Sequence, residues 1–254
     1  MKNLRWLRWL LWPLQWLALQ LMLLLLGLGS LLWCGVALLL YPLLPSAAGR
    51  RIGRLTIAAG YRAFWWLARR AGMMRLDSQP LDALRDEPGL IVVANHPSML
   101  DAMMLVARLP RSACIMKASL IRSPFLAPGA RLARYIRNDS PLGLVNLAVQ
   151  DLKQGGQLVL FPEGTRTTTP PVNPFRGGVS LIAKRAGAPI QTVFIDAHSP
   201  YLCKGWPLWR LPPLPIEFTV RLGRRFAPAE DTAAQLRELE TYFAAGVRRA
   251  PALS

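Results

Sequence analysis

No Asp or Glu precedes Asp77, although Lys2, Arg5, Arg8, Arg50, Arg51, Arg54, Arg62, Arg69, Arg70 and Arg75 all do. From Trp9 to Gly49 there is no charge of either sign. Cysteine is scarce: Cys34, Cys114 and Cys203 are scattered, show no metal-ligand spacing and are odd in number, which excludes a disulfide framework and a zinc module. A reducing, cytosol-facing setting fits that usage, with each thiol read as a small buried hydrophobe. Histidine is limited to His96 and His198. Internal repeats, low-complexity tails, zinc-finger spacing and RNA-binding aromatic signatures are absent, so the net charge of +17 is not read as a nucleic-acid footprint. The early cations alternate with Trp and Leu rather than with Gly, Ser and Gln, which favours an anionic membrane surface.

The uncharged run is roughly twice the length one membrane-spanning helix requires. It is also too long for a secretory leader and ends without a small-residue cleavage site. Two arrangements fit. One is a single span from about Leu17 to Tyr41, preceded by an interfacial helix with Trp6, Trp9, Trp12 and Trp16 on one side. The other is a hairpin entering and leaving one leaflet. Residues 50–85 read as a basic amphipathic connector, with Tyr61, Phe64, Trp65 and Trp66 among arginines. That pattern serves a helix resting on lipid and a core-packing helix equally. Residues 86–254 form the globular domain, a length that supports a core of its own.

In that domain short apolar runs alternate with helical patterns. Strands are expected at 89–94, 113–116, 157–161, 189–196 and 216–222, and helices at 100–108, 144–154, 179–186 and from about Glu230 to Arg249. The alternation predicts an α/β fold, a mixed sheet flanked by helices, behind an N-terminal membrane-associated helical segment.

Two blocks carry chemistry. In His96-Pro97-Ser98-Met99-Leu100-Asp101 a buried strand ends and a helix begins, because Pro97 disfavours helix at the residue before it and suits a first helical turn. Asp101, about one turn on, can reach back and hold one imidazole nitrogen as a donor, leaving the other as a base. This is two-thirds of a catalytic triad without its serine, so the nucleophile is expected to be a substrate hydroxyl. His-x4-Asp alone is a weak pattern, often only a helix-start His near a solvated Asp. The second block is Phe161-Pro162-Glu163-Gly164-Thr165-Arg166. Glu163 can bind substrate hydroxyls, Gly164 allows close backbone approach and offers an amide, and Arg166 presents a fork suited to phosphate. Without the first block it would read as a surface turn with a Glu–Arg pair.

Together, in this order, the blocks resemble the glycerolipid acyltransferase family, which includes the 1-acyl-glycerol-3-phosphate acyltransferases. The resemblance runs from about Leu90 to Ile195. It implies catalytic His96 and Asp101, and acceptor binding by Glu163, Gly164 and Arg166. It also implies phosphate-binding cations at Lys117 and at Arg137 of Tyr135-Ile136-Arg137, with Pro124 between them. Arg134 can stand in for Arg137, since the glycine expected before that stretch is missing. Phe175-Arg176-Gly177-Gly178 resembles the segment leading to a helix, and Ala188-Pro189-Ile190 the start of a fourth block. There Gln191-Thr192 replaces the family's valine and second proline, a departure touching the acyl pocket.

The resemblance implies a membrane-bound O-acyltransferase, facing the cytoplasm at the inner membrane, that moves an acyl group from coenzyme A or acyl carrier protein to a lyso-lipid hydroxyl. No metal or resident cofactor is implied. Lysophosphatidic acid is the default acceptor. A lyso-ornithine lipid, a glycolipid or a specialised polyene lipid are alternatives suggested by the Pro- and Trp-rich stretch 199–215, which also reads as a rigid surface loop. A lipid-binding protein without turnover and a hydrolase are the competing classes.

Overall fold

A strict two-residue alternation in the central strands decides the layering. The structure is a computed structural model describing residues 5–117, 123 and 126–247, with side chains from Trp12 onward and without that of Lys117. Strand β2 (Ile91–Ala94) sends Val92 and Ala94 to one face, Ile91 and Val93 to the other, and all four are buried. β5 (Gln157–Leu160) splits likewise, Val159 against Leu158 and Leu160. Strands apolar on both faces need helices on both, which is the setting of parallel sheets.

The seven strands run in the order β1-β7-β6-β2-β5-β3-β4. β1 is Met74–Asp77, β3 Ser112–Lys117, β4 Ile136–Asn138, β6 Ile190–Ala197 and β7 Ile216–Phe226. All neighbouring pairs are parallel except β6 with β7. One face is covered by α2 (Ser46–Arg70) and α3 (Asp101–Arg108), the other by α5 (Pro141–Lys153), α6 (Gly178–Ala186) and α7 (Thr232–Gly246). Local chemistry sets the ends. Ser140 caps α5 through the Gly143 amide, Asp231 caps α7 through the amides of Ala233 and Ala234, and Gly187 closes α6 at φ +63°. The mixed sheet with flanking helices is the architecture expected. Its edges are less legible: β1 and β4 are four and three residues long, too short for alternation to stand out. β1 draws part of the 50–85 stretch into the sheet, Met74 pairing with Ile216. The final helix ends at Gly246, and Arg248 and Arg249 lie outside the described residues.

The N-terminal run is one helix, α1 (Arg5–Leu43), of 39 residues, about 58 Å long at 1.5 Å per residue. It is long and apolar enough to cross a membrane, by length and composition. One stripe of it packs on the domain. Leu19 and Met22 join the core on the α2–α3 face, Trp33 and Cys34 meet Gly129 of α4 (Ala127–Leu132), and Tyr41 lies under the Arg134 guanidinium. The opposite stripe, including Leu14, Leu21, Leu24, Leu32 and Leu39, is exposed. α2 divides its aromatics: Phe64 and Trp65 enter the core, while Trp66 points outward beneath Arg70. Gly53 lets α2 touch the α4 segment, since a Cβ there would lie 2.6 Å from the Ala133 nitrogen. Beside it buried Arg54 donates to both carboxylate oxygens of Asp151, at 2.8 and 3.1 Å, and to the carbonyls of Ala133 and Arg111.

Candidate active site

β2 leaves the sheet at Asn95, whose side-chain amide pairs with both backbone groups of Ile195 on β6, at 2.8 and 2.9 Å. That anchor determines where the chain turns, and His96 follows at the carboxyl edge of the sheet, the edge where open α/β sheets place their sites. His96 Nδ1 lies 2.8 Å from Asp101 Oδ2. Asp101 opens α3 and is fully buried, and the same Oδ2 accepts the Ser98 amide at 2.8 Å. With Nδ1 donating to the carboxylate, Nε2 keeps its lone pair. The imidazole stacks on Phe161, ring centroids 4.2 Å apart and planes 20° from parallel. Ser98 is buried and its hydroxyl donates to the Tyr201 carbonyl, which removes it as a nucleophile.

Burial raises the Asp101 carboxyl to about 6, against the lowering pull of the His96 and Ser98 hydrogen bonds. The Asp101 carboxyl therefore takes up a proton more readily than a free one.

The second block holds the first by its backbone. Glu163 is buried, and its Oε1 accepts the His96 amide at 3.0 Å and the Thr167 hydroxyl at 2.9 Å. Its Oε2 accepts the Asn173 amide at 2.8 Å, and the Thr167 amide donates to the His96 carbonyl at 2.8 Å. Both backbone groups of the histidine are thus set by the turn after β5.

Residues 75–196 match the family model described as Acyltransferase, a stretch containing both blocks. The 1-acyl-sn-glycerol-3-phosphate acyltransferase of Pseudomonas aeruginosa is 26% identical over 189 residues, covering 72% of each chain. The lyso-ornithine lipid O-acyltransferase of the same organism is 29% identical over 150 residues, covering 54% of this chain and 57% of that one. The crystal structure of the 1-acyl-sn-glycerophosphate acyltransferase of Thermotoga maritima superposes with a TM-score of 0.71 at 20% identity, over 94% of this chain and 98% of that one, a likeness of fold. The chain thus carries an acyltransferase domain similar to that of the glycerolipid acyltransferases.

Within this acyltransferase the expected acceptor ligands divide. Glu163, expected as an acceptor ligand, accepts from three protein donors, because a buried charge needs them, and so also clamps His96. Gly164 is at φ +68° and its amide donates to Phe161, so the turn itself uses the donor expected to be open. The Arg176 guanidinium packs over the turn, 2.8 Å from where a Cβ would stand. Arg166 points one guanidinium nitrogen at the carbonyls of Leu202 and Cys203, at 2.9 and 3.0 Å, which makes it an anchor for the 199–206 loop. Lys117 closes β3, but its side chain and Pro124 lie outside the described residues. Arg137 is exposed, 3.6 Å from Asp139, at the same sheet edge. β3 and β4 are two and three strands from β2, placing Lys117 and Arg137 about 10 and 14 Å from the histidine strand at normal strand spacing. Arg134, the stand-in for Arg137, turns to Tyr41 and the Ser46 hydroxyl, away from that edge. Gln191 and Thr192 satisfy the irregular β6–β7 pairing by donating to the Gly223 and Arg224 carbonyls, which gives their departure from the family pattern a structural role.

Sequence reasoning passed over Asn95, Phe161 as the ring under the imidazole, Thr167, and Asn173, whose side-chain oxygen accepts the Thr168 and Thr169 amides. Adjacency to His96 could have flagged Asn95. No spacing points to Asn173.

Proposed function

We propose that the protein is a lyso-lipid O-acyltransferase, with 1-acyl-glycerol-3-phosphate as acceptor and an acyl thioester of coenzyme A or acyl carrier protein as donor. The observation carrying this reading is the His96–Asp101 pair at 2.8 Å with no protein nucleophile bonded to it among the described residues. His96 Nε2 removes the acceptor hydroxyl proton as the oxygen attacks the thioester carbonyl. The tetrahedral adduct then collapses, the carbon–sulfur bond breaks, and the imidazolium returns the proton to the thiolate. Asp101 stabilises that imidazolium and holds its tautomer. General base help of this kind is worth roughly a hundredfold to ten-thousandfold. Lys117, Arg137 and Arg176, whose exposed guanidinium covers Gly164, are the head-group cations in this reading.

The apolar outer stripe of α1 seats the enzyme on the membrane. Its inner stripe is held from Trp16, which donates to Trp209, to Tyr41 under Arg134, so only one flank meets lipid. That favours a helix dipping into one leaflet over a span standing clear of the domain. Water-soluble thioester donors support the cytoplasmic face of the inner membrane.

A second acceptor, lyso-ornithine lipid, is favoured by the 29% identical relative that bears that name. Labelled acyl-CoA and acyl carrier protein, offered with a panel of lyso-lipids, separate the readings. Transfer to 1-acyl-glycerol-3-phosphate that His96→Ala abolishes is the expected result. Transfer only to lyso-ornithine lipid would keep the mechanism and replace the acceptor. Fatty acid released without an acceptor product would make the protein a hydrolase, and full activity in His96→Ala would overturn the mechanism.

A further inference from the structure

The loop between β6 and β7 touches two distant regions at once. At one end it carries the site: the Tyr201 carbonyl accepts the Ser98 hydroxyl at 3.0 Å, the Leu202 carbonyl accepts the Met99 amide at 3.0 Å, and Arg166 binds the Leu202 and Cys203 carbonyls. Leu202 holds φ +57°, a left-handed conformation that leucine rarely adopts, and Tyr201 is fully buried against Trp206. At the other end the loop is tied to α1. The Trp16 indole donates to the Trp209 carbonyl at 2.8 Å and the Gln20 amide to the Leu208 carbonyl at 3.1 Å.

The side chains of those tied residues face outward, Trp209 73% and Leu208 51% exposed. On α1 the anchors Trp16 and Gln20 are each followed by an exposed leucine, Leu17 and Leu21. Lys204 and Arg210 flank Leu208 and Trp209, the Arg210 guanidinium 4.8 Å over the Trp206 ring. Trp and Leu between cations suit the headgroup level of an anionic bilayer.

We infer that residues 204–210 are a second bilayer contact beside α1, and that their seating positions the His96 and Arg166 turns through the carbonyls of residues 201–203. The inference rests on the membrane-seated reading proposed above. Leu208 and Trp209 are positioning residues, touching lipid and not the reacting atoms.

The test uses the full chain in vesicles of phosphatidylcholine and phosphatidylglycerol. A nitroxide is attached at Trp209→Cys in a Cys203→Ser background, since Cys34 and Cys114 are buried. Arg237→Cys on the exposed side of α7 is the aqueous control. Relaxation by oxygen in preference to a water-soluble nickel complex at 209, and the reverse at 237, is expected. Nickel-dominated relaxation at 209 overturns the inference. The Leu208→Ser/Trp209→Ser protein should lose about tenfold in kcat/KM on a vesicle-borne acceptor and little on a short-chain monomeric one. Equal loss on both acceptors would make the loop a brace of the fold and overturn the positioning role. Absence of any acyl transfer by the unaltered protein would defeat the proposed function, while the depth measurement would still decide the bilayer contact.

Discussion

The turn that holds His96 and the outer stripe of α1 are built on opposite rules. Around His96 polar groups are buried and largely matched: Asp101 through its Oδ2, Glu163 and Asn95 each find protein partners, while Asp101 Oδ1 is buried without one. On α1 apolar groups are exposed and unmatched, Leu32 at 72% and Leu39 at 69%. A buried hydrogen-bonded group specifies geometry, because its alternatives leave an unpaired polar atom in a low-dielectric interior. An exposed leucine specifies none, and only asks for a partner outside the chain. The geometry around His96 is therefore set largely inside the molecule, whereas the exposed stripe of α1 calls for a partner outside it.

The buried ion pair that joins α2 to α5 gives the largest break of the matched side. Arg54→Ala leaves Asp151 in the interior with only Arg50, 3.3 Å away, and should cost about 3–5 kcal/mol, read from denaturant unfolding in detergent. Glu163→Gln sharpens the distinction between clamp and ligand. An amide cannot accept from three donors while keeping its own N–H groups paired, so stability should fall by about 1–3 kcal/mol. The kcat should drop with little change in acceptor KM, whereas a hydroxyl ligand would show its loss mainly in KM.

The dyad also predicts opposed responses to pH. The Asp101 carboxyl is raised to about 6 in the fold, above its ordinary 3.8, so its protonated form is the better tolerated one. Its contribution to stability is present below the unfolded value and lost as pH rises through about 6. Activity should move the other way, kcat/KM falling below about pH 6 as Asp101 is protonated and ceases to stabilise the imidazolium. Melting temperatures of the native protein and Asp101→Asn, compared from acid to neutral pH, isolate the first effect. A flat pH–rate profile through that range would remove the dyad from the rate-determining step. The smallest effect belongs to the unmatched side: Leu32→Ser with Leu39→Ser should leave unfolding in detergent within about 0.5 kcal/mol while weakening vesicle binding in flotation assays.

The two regions were also unequally legible. The long strands and helices announce themselves by period, and the His96–Asp101 spacing already implies a contact within one helical turn. β1 and β4 are too short to carry a period, and their place comes from pairing with β7 and β3. The role of Glu163 was not visible, because residue type says only that a carboxylate can accept; whether its donors come from a substrate or from His96, Thr167 and Asn173 depends on how two distant turns meet. Arg166 is the same case with the sign reversed.

What the sequence by itself determined is therefore local: the alternation that makes the sheet, the caps and glycines that end helices, the uncharged run that makes α1, and the histidine with its aspartate. These depend on neighbours within a turn or a strand. The tertiary structure alone decided which polar side chains face inward to one another and which remain for a ligand, because burial and hydrogen bonding between β2, β5 and the β6–β7 loop arise only when those segments are packed. It also decided that α1 lies along the domain and is tied to the loop at Leu208 and Trp209.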